Sequence, residues 1–126
     1  VRDEVRYSSY GTEEDYDVLI VGYGTVARVC YTAIEELAEQ GIQVGMVRPI
    51  SLFPYPYDAV REAARRAKAV LVVELSMGQM IEDVRLAVGA ERPIHFYSRV
   101  GGMLVSPEEV IEQTTAILED REVIHG

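Results

Sequence analysis

The segment Val18-Leu19-Ile20-Val21 is apolar at every position, with no alternation of polar and apolar residues. A run of this kind suits a strand covered on both faces, as in a parallel sheet, and not a strand with one face in water. The stretch that follows changes period. Val26, Cys30, Ala33 and Leu37 recur at helical spacing, while Glu35, Glu36, Glu39 and Gln40 fall off that stripe. Gly41 supplies a natural stop. A covered strand must be packed by helices above and below, so this pair of periods constrains the fold more than any other feature.

The pair repeats along the chain. Further strands are expected at Gln43–Val47, Ala69–Leu75 and Ile94–Ser98. Helices are expected from about Tyr57 to Ala67, from the capping box Ser76-x-x-Gln79 to Gly89, and from the second capping box Ser106-Pro107-Glu108-Glu109 onward. Pro49 should limit the second of these strands. The order β-α-β-α-β-α-β-α implies a mostly parallel sheet with helices on both faces, a three-layer α/β/α fold. Residues 1–15 read as a polar lead-in with a short edge strand near Val5-Arg6-Tyr7, and residues 16–126 as one domain.

Charge and cysteine content narrow the function. A net charge of −9 repels phosphate backbones, so nucleic acid is not an expected partner. No apolar run approaches the roughly 18–20 residues of a membrane helix, and the charged opening Val1–Arg6 reads against a secretory leader, so the expected location is the cytoplasm. The single Cys30 excludes internal disulfides and an iron–sulfur cluster held by this chain alone, which needs four thiolates as a rule. Lysine occurs only at position 68, so almost all basic groups are arginines, which favour bidentate pairing.

Gly22-Tyr23-Gly24-Thr25-Val26-Ala27 matches the glycine pattern of a dinucleotide-binding turn. The rest of such a site is missing. An acid about 20 residues on should hold the ribose hydroxyls, yet the second strand ends Val47-Arg48-Pro49. Gly22 and Gly24 are expected instead to permit a tight strand-to-helix turn, and Ala27 close packing of helix on sheet. No Gly-Lys-Ser/Thr follows to make a phosphate loop, and no nucleophile elbow surrounds Ser51, Ser76 or Ser98. His95 has no neighbouring His or Cys that suggests a metal. In an open α/β sheet, ligands favour the C-terminal strand ends at the switch point, which brings together Gly24, Thr25, Glu74, Ser76 and Gln79. The plainer reading of Glu74 is a carboxylate accepting hydrogen bonds from loop amides. The loop Leu52-Phe53-Pro54-Tyr55-Pro56-Tyr57 is unusually apolar for a surface connection. Phe53, Tyr55 and Tyr57, rimmed by Arg48 and Arg99, form a candidate contact surface.

Read together, residues 17–56, "AVLVVELSMGQMIEDVRLAV" and "YSRVGGMLVSPEEV" resemble the second domain of 2-oxoacid:ferredoxin oxidoreductase alpha subunits. That domain is similar in turn to the C-terminal domain of transketolases. The resemblance spans about residues 16–118, and "VRPISLFPYP", "VVELSMGQMIEDV" and Gly101-Gly102 are its most specific pieces. The 2-oxoisovalerate and 2-oxoglutarate enzymes are nearest. The resemblance implies a five-stranded sheet of order 1-3-2-4-5 with strand 1 antiparallel. It implies a whole enzyme that decarboxylates a 2-oxoacid on thiamine diphosphate and magnesium, passes electrons through iron–sulfur clusters to ferredoxin, and forms an acyl-coenzyme A. Its expected partners are the beta, gamma and ferredoxin-like delta subunits. No cofactor or metal is expected on this domain itself, which would serve as scaffold and subunit contact without catalytic residues. Two other readings stand beside it: a free-standing nucleotide- or anion-binding module using the helix start at Thr25, and a protein-interaction domain docking through the aromatic loop.

Overall fold

The structure, a computed structural model, describes residues 7–11, 15–22, 26–49, 56–74, 81–90, 92–98 and 105–125. The elements in chain order are β1 (Tyr7–Tyr10), β2 (Val18–Gly22), α1 (Val26–Glu39), β3 (Val44–Pro49), α2 (Tyr57–Arg65), β4 (Ala69–Glu74), α3 (Ile81–Val88), β5 (Ile94–Ser98) and α4 (Pro107–His125). The sheet runs β1-β3-β2-β4-β5. All pairings are parallel except that of β1 with β3. Both the mixed α/β/α class and the implied strand order are therefore found.

Alternation along the covered strands builds two cores. Val18, Ile20, Met46, Leu71 and Val73 face α1 and α4, where Ala27, Cys30, Ala33, Leu37, Val110 and Ile117 meet them. Leu19, Val21, Val47, Val70 and Val72 point the other way, onto Val60, Ala63 and Ala64 of α2 and Val84, Ala87 and Val88 of α3. Every residue of β2 and β4 is buried, as the unbroken apolar runs require. Burying each such Val, Leu or Ile side chain is worth about 1.5–3 kcal/mol before chain entropy is subtracted.

The stops and starts are chemical. Gly41 takes a φ of +86° just after α1, and the Ile42 N–H returns to the Leu37 carbonyl at 2.9 Å. Gly89 takes a φ of +68° after α3. At α4 the expected capping box is present. The Glu109 N–H donates to Ser106 Oγ, and the Ser106 N–H donates back to Glu109 Oε1, both at 3.3 Å. The Tyr97 hydroxyl donates to the other oxygen of the same carboxylate, tying β5 to the first turn of α4.

Three boundaries differ from expectation. The lead-in strand is described at Tyr7–Tyr10, because it pairs with β3 from Pro49 back to Met46. β3 runs on to Pro49, which ends the strand rather than stopping short of it. α2 ends at Arg65, two residues early, where the Arg66 and Ala67 amides turn back to the carbonyls three residues before them and Arg92 takes up carbonyls of the last turn. The capping box at Ser76–Gln79 lies outside the described residues.

The N-terminal edge of the sheet is closed by Asp17 and Tyr16. Asp17 accepts the Gln43 N–H on its carboxylate at 3.1 Å, and its carbonyl accepts the Lys68 N–H. Tyr16 is buried with its hydroxyl donated to the Ala63 carbonyl, and its ring lies over Gly45.

Candidate functional site

The four parallel strands end together at Gly22, Pro49, Glu74 and Ser98, so one edge of the sheet carries the described candidates Arg48, Tyr57 and Glu74. β2 leads through α1, on one face, outward to β3, and β4 leads through α3, on the other face, outward to β5. The topological switch therefore falls between β2 and β4, where Gly22 pairs with Val73. Glu74 follows on β4, with 4% of its surface exposed, and it is engaged by a neighbour within the chain. By alternation it stands on the face of Val70 and Val72, toward α2 and α3. Arg48 lies on β3 on the opposite face, that of Met46, and is half-buried. Tyr57 opens α2, packs against the second core and donates its hydroxyl to Asp83 of α3 at 2.7 Å. The remaining candidates, Gly24, Thr25, Phe53, Tyr55, Ser76, Gln79 and Arg99, lie outside the described residues. Sequence reasoning missed Asp83. An acid in the first turn of a helix is common, and nothing in the order of residues signals its tyrosine partner.

The glycine turn can be judged at its first position. Gly22 has no left-handed φ, and a Cβ there would meet Val26 Cγ1 at 3.5 Å and Cys30 Sγ at 3.7 Å, ordinary contact distances. Gly22 is thus not required for backbone freedom, contrary to expectation. It is the last residue of a regular strand.

The described residues do not fit a metal or an iron–sulfur cluster. Among them no group of three His, Cys, Asp or Glu side chains converges. Burial pushes the Cys30 thiol up to about 12, so it does not offer a thiolate. No helix of the described residues is long and apolar enough to cross a membrane.

A mostly parallel five-stranded sheet of order β1-β3-β2-β4-β5, with one antiparallel edge and helices packed on both faces, defines a transketolase-like α/β/α domain. The comparisons agree. Residues 16–110 match the pyruvate:ferredoxin oxidoreductase core domain II, and the chain belongs to that family. It is 40% identical over 118 residues to the ketoisovalerate oxidoreductase subunit VorB of Methanothermobacter thermautotrophicus, covering 94% of this chain and 33% of that protein. It is 34% identical to the 2-oxoglutarate synthase subunit KorA of Archaeoglobus fulgidus, covering 79% of this chain and 28% of the relative. The chain thus spans about a third of the length of the curated relatives it matches. Its fold is shared with a 2-oxoglutarate:ferredoxin oxidoreductase from Magnetococcus marinus, with a TM-score of 0.76 and 24% identity over 88% of this chain and 19% of the other. A split-gene transketolase, described as an inactive beta4 tetramer, has the same fold with a TM-score of 0.73 and 21% identity over 86% of this chain and 40% of the other.

Proposed function

We propose that the chain is a scaffold and subunit-contact domain of a thiamine-diphosphate-dependent 2-oxoacid:ferredoxin oxidoreductase, with a branched-chain 2-oxoacid such as 2-oxoisovalerate as substrate of the whole enzyme. The observation that carries the reading is the family match over residues 16–110 together with 40% identity to a ketoisovalerate oxidoreductase subunit. In this reading thiamine diphosphate, magnesium, iron–sulfur clusters and coenzyme A are bound elsewhere in the assembly. Phe53, Tyr55 and Tyr57, with Arg48 and Arg99 at the rim, face neighbouring domains or the beta subunit. The gamma and ferredoxin-like delta subunits complete the complex in the cytoplasm.

The test is to co-express the full-length subunit with its partner subunits and assay coenzyme-A-dependent reduction of a viologen. Turnover is expected with 2-oxoisovalerate in preference to 2-oxoglutarate or pyruvate. Preference for either of the others overturns the substrate, and failure of the subunits to associate overturns the contact role.

A further inference from the structure

Among the described residues β5 pairs on one side only, with β4, in an unbroken parallel register from Ile94 to Ser98. The Val70 N–H donates to the Pro93 carbonyl at 2.9 Å, and that bond fixes which backbone groups face which way. In a parallel ladder alternate residues of a strand bond to a given neighbour. The peptide groups of His95 and Tyr97 therefore face β4, and the N–H and C=O of Ile94 and Phe96 point outward. Native sheets blunt such an edge with lysine, proline, a bulge or an inward charge. β5, Ile94-His95-Phe96-Tyr97-Ser98, has no Lys, Arg, Asp, Glu or Pro and no break in its register. Phe96 stands on the face of Ile94, that of α2 and α3, and is 41% exposed. Among the described residues no ring packs on it. The opposite edge differs: β1 has four residues, two of them serines, and its Tyr10 is stacked edge-on to Tyr31 at 5.2 Å.

We propose that the outer edge of β5 pairs antiparallel with β5 of a second copy of this chain, about a two-fold axis at Phe96. A two-fold contact needs a patch that complements itself. The outward residues 94, 96 and 98 are symmetric about 96. In this register Phe96 exchanges both backbone bonds with Phe96 of the copy, and Ile94 does so with Ser98 of the copy. The two exposed rings become cross-strand neighbours. Charge favours this place for self-contact. Two copies with a net charge of −9 each repel. The outer faces of α1 and α4 expose Glu35, Glu36, Glu39, Glu108, Glu112 and Glu119, whereas β5 sets no charged side chain against its own copy. The pairing goes beyond the scaffold reading and does not depend on it.

The experiment uses the full-length subunit, alone and with its partner subunits. Opposed Cα atoms of such a pair stand about 5.5 Å apart, within disulfide reach. Ile94 lies roughly 14 Å from Ile94 of the copy, four residues along the strand, and out of reach. On mild oxidation Phe96→Cys is expected to give a disulfide-linked dimer of the subunit, and Ile94→Cys and wild type are not. Phe96→Pro removes an outward N–H that the chain's own sheet does not use. It is expected to keep the melting temperature and to weaken self-association, measured by sedimentation, by about tenfold or more. Phe96→Lys sets two cations at the axis, is expected to weaken self-association likewise, and serves in place of the proline variant if that one melts early. No link at Phe96→Cys overturns the proposal. Equal links at both cysteines overturn it as well, since they report random collision. Self-association unchanged by both Phe96→Pro and Phe96→Lys means that copies meet elsewhere, and a link from Phe96→Cys to a partner subunit means that a different chain covers the edge; either result overturns it.

Discussion

The hydroxyl of Tyr57 donates to Asp83 Oδ1 at 2.7 Å, fastening the first turn of α2 to the first turn of α3. The two helices begin at the C-terminal edge of the sheet, after β3 and β4, so the bond joins the two segments that leave that edge. Asp83 accepts from the neutral phenol, and this hydrogen bond is the main reason the Tyr57 pKa is raised. Tyr57→Phe keeps the ring and removes the bond. It is expected to lower stability, read as a lower urea midpoint with an unchanged slope. Asp83→Asn, which keeps a neutral acceptor, is expected to cost less than Tyr57→Phe.

Alkaline pH should destabilise the fold within a defined window. Burial is the main cause that raises Tyr16 from 10.0 to about 12, and burial raises Cys30 from 9.0 to about 12. Both groups hold their protons more tightly folded than unfolded. The stability they contribute is complete below pH 9 and is lost as pH rises toward 12. Melting temperature is expected to be insensitive to these groups up to pH 9 and to fall between pH 9 and 12. Tyr16→Phe should shallow the fall above pH 10. At pH 8 the folded protein is expected to leave Cys30 unreactive toward thiol reagents, and rapid labelling would show that the thiol is not buried as described.

Two glycines make opposite demands. A Cβ on Gly45 would lie 3.0 Å from Tyr16 Cζ and 3.1 Å from the Gly11 carbonyl oxygen, and the ring is held in place by its own hydrogen bond to Ala63. Gly45→Ala is expected to cost about 1–3 kcal/mol through overpacking. A Cβ on Gly22 finds ordinary contacts at 3.5 Å and beyond. Gly22→Ala is expected to stay within about 0.5 kcal/mol of wild type. Chemical denaturation of the two variants checks both, and a large loss at Gly22 would return the turn to a role that the fold does not explain.

Thr114 of α4 is fully buried, and among the described residues its Oγ1 has no hydrogen-bond partner. It sits between Val110 and Ile117 in the layer that packs on α1. Valine has nearly the same shape and no hydroxyl to desolvate. Thr114→Val is expected to raise stability by about 1 kcal/mol or more, measured by denaturant unfolding, with no change in assembly.

Most of the fold was legible because its signals are local. The apolar runs at 18–21 and 69–75 mark strands that are buried at every described residue, and the strand expected at Ile94–Ser98 has those same bounds. Ser106 and Glu109 announced the start of α4, and Gly41 and Gly89 the ends of α1 and α3. The strand order came from a resemblance, since pairing between distant strands leaves no local mark. The edge strand expected near Val5-Arg6-Tyr7 is described from Tyr7 to Tyr10; Ser8 and Ser9 carry no strand preference of their own, and the backbone of β3 organises them. Of the candidate site, Arg48, Tyr57 and Glu74 were singled out by position at strand ends and loop. What each one touches was not legible. Asp83 lies 26 residues from Tyr57, and that the buried Arg48 Nε has no partner among the described residues is visible only once its surroundings are folded.

The role of this chain is tested most directly by comparing it, purified alone, with the full-length subunit assembled with its partners. The assay is 2-oxoisovalerate- and coenzyme-A-dependent viologen reduction in the presence of thiamine diphosphate and magnesium. The expected result is turnover by the assembly and none by the 126-residue chain. Turnover by the chain alone, or an assembly that forms and reduces no viologen with any 2-oxoacid, would contradict the assignment of a scaffold domain in a 2-oxoacid:ferredoxin oxidoreductase.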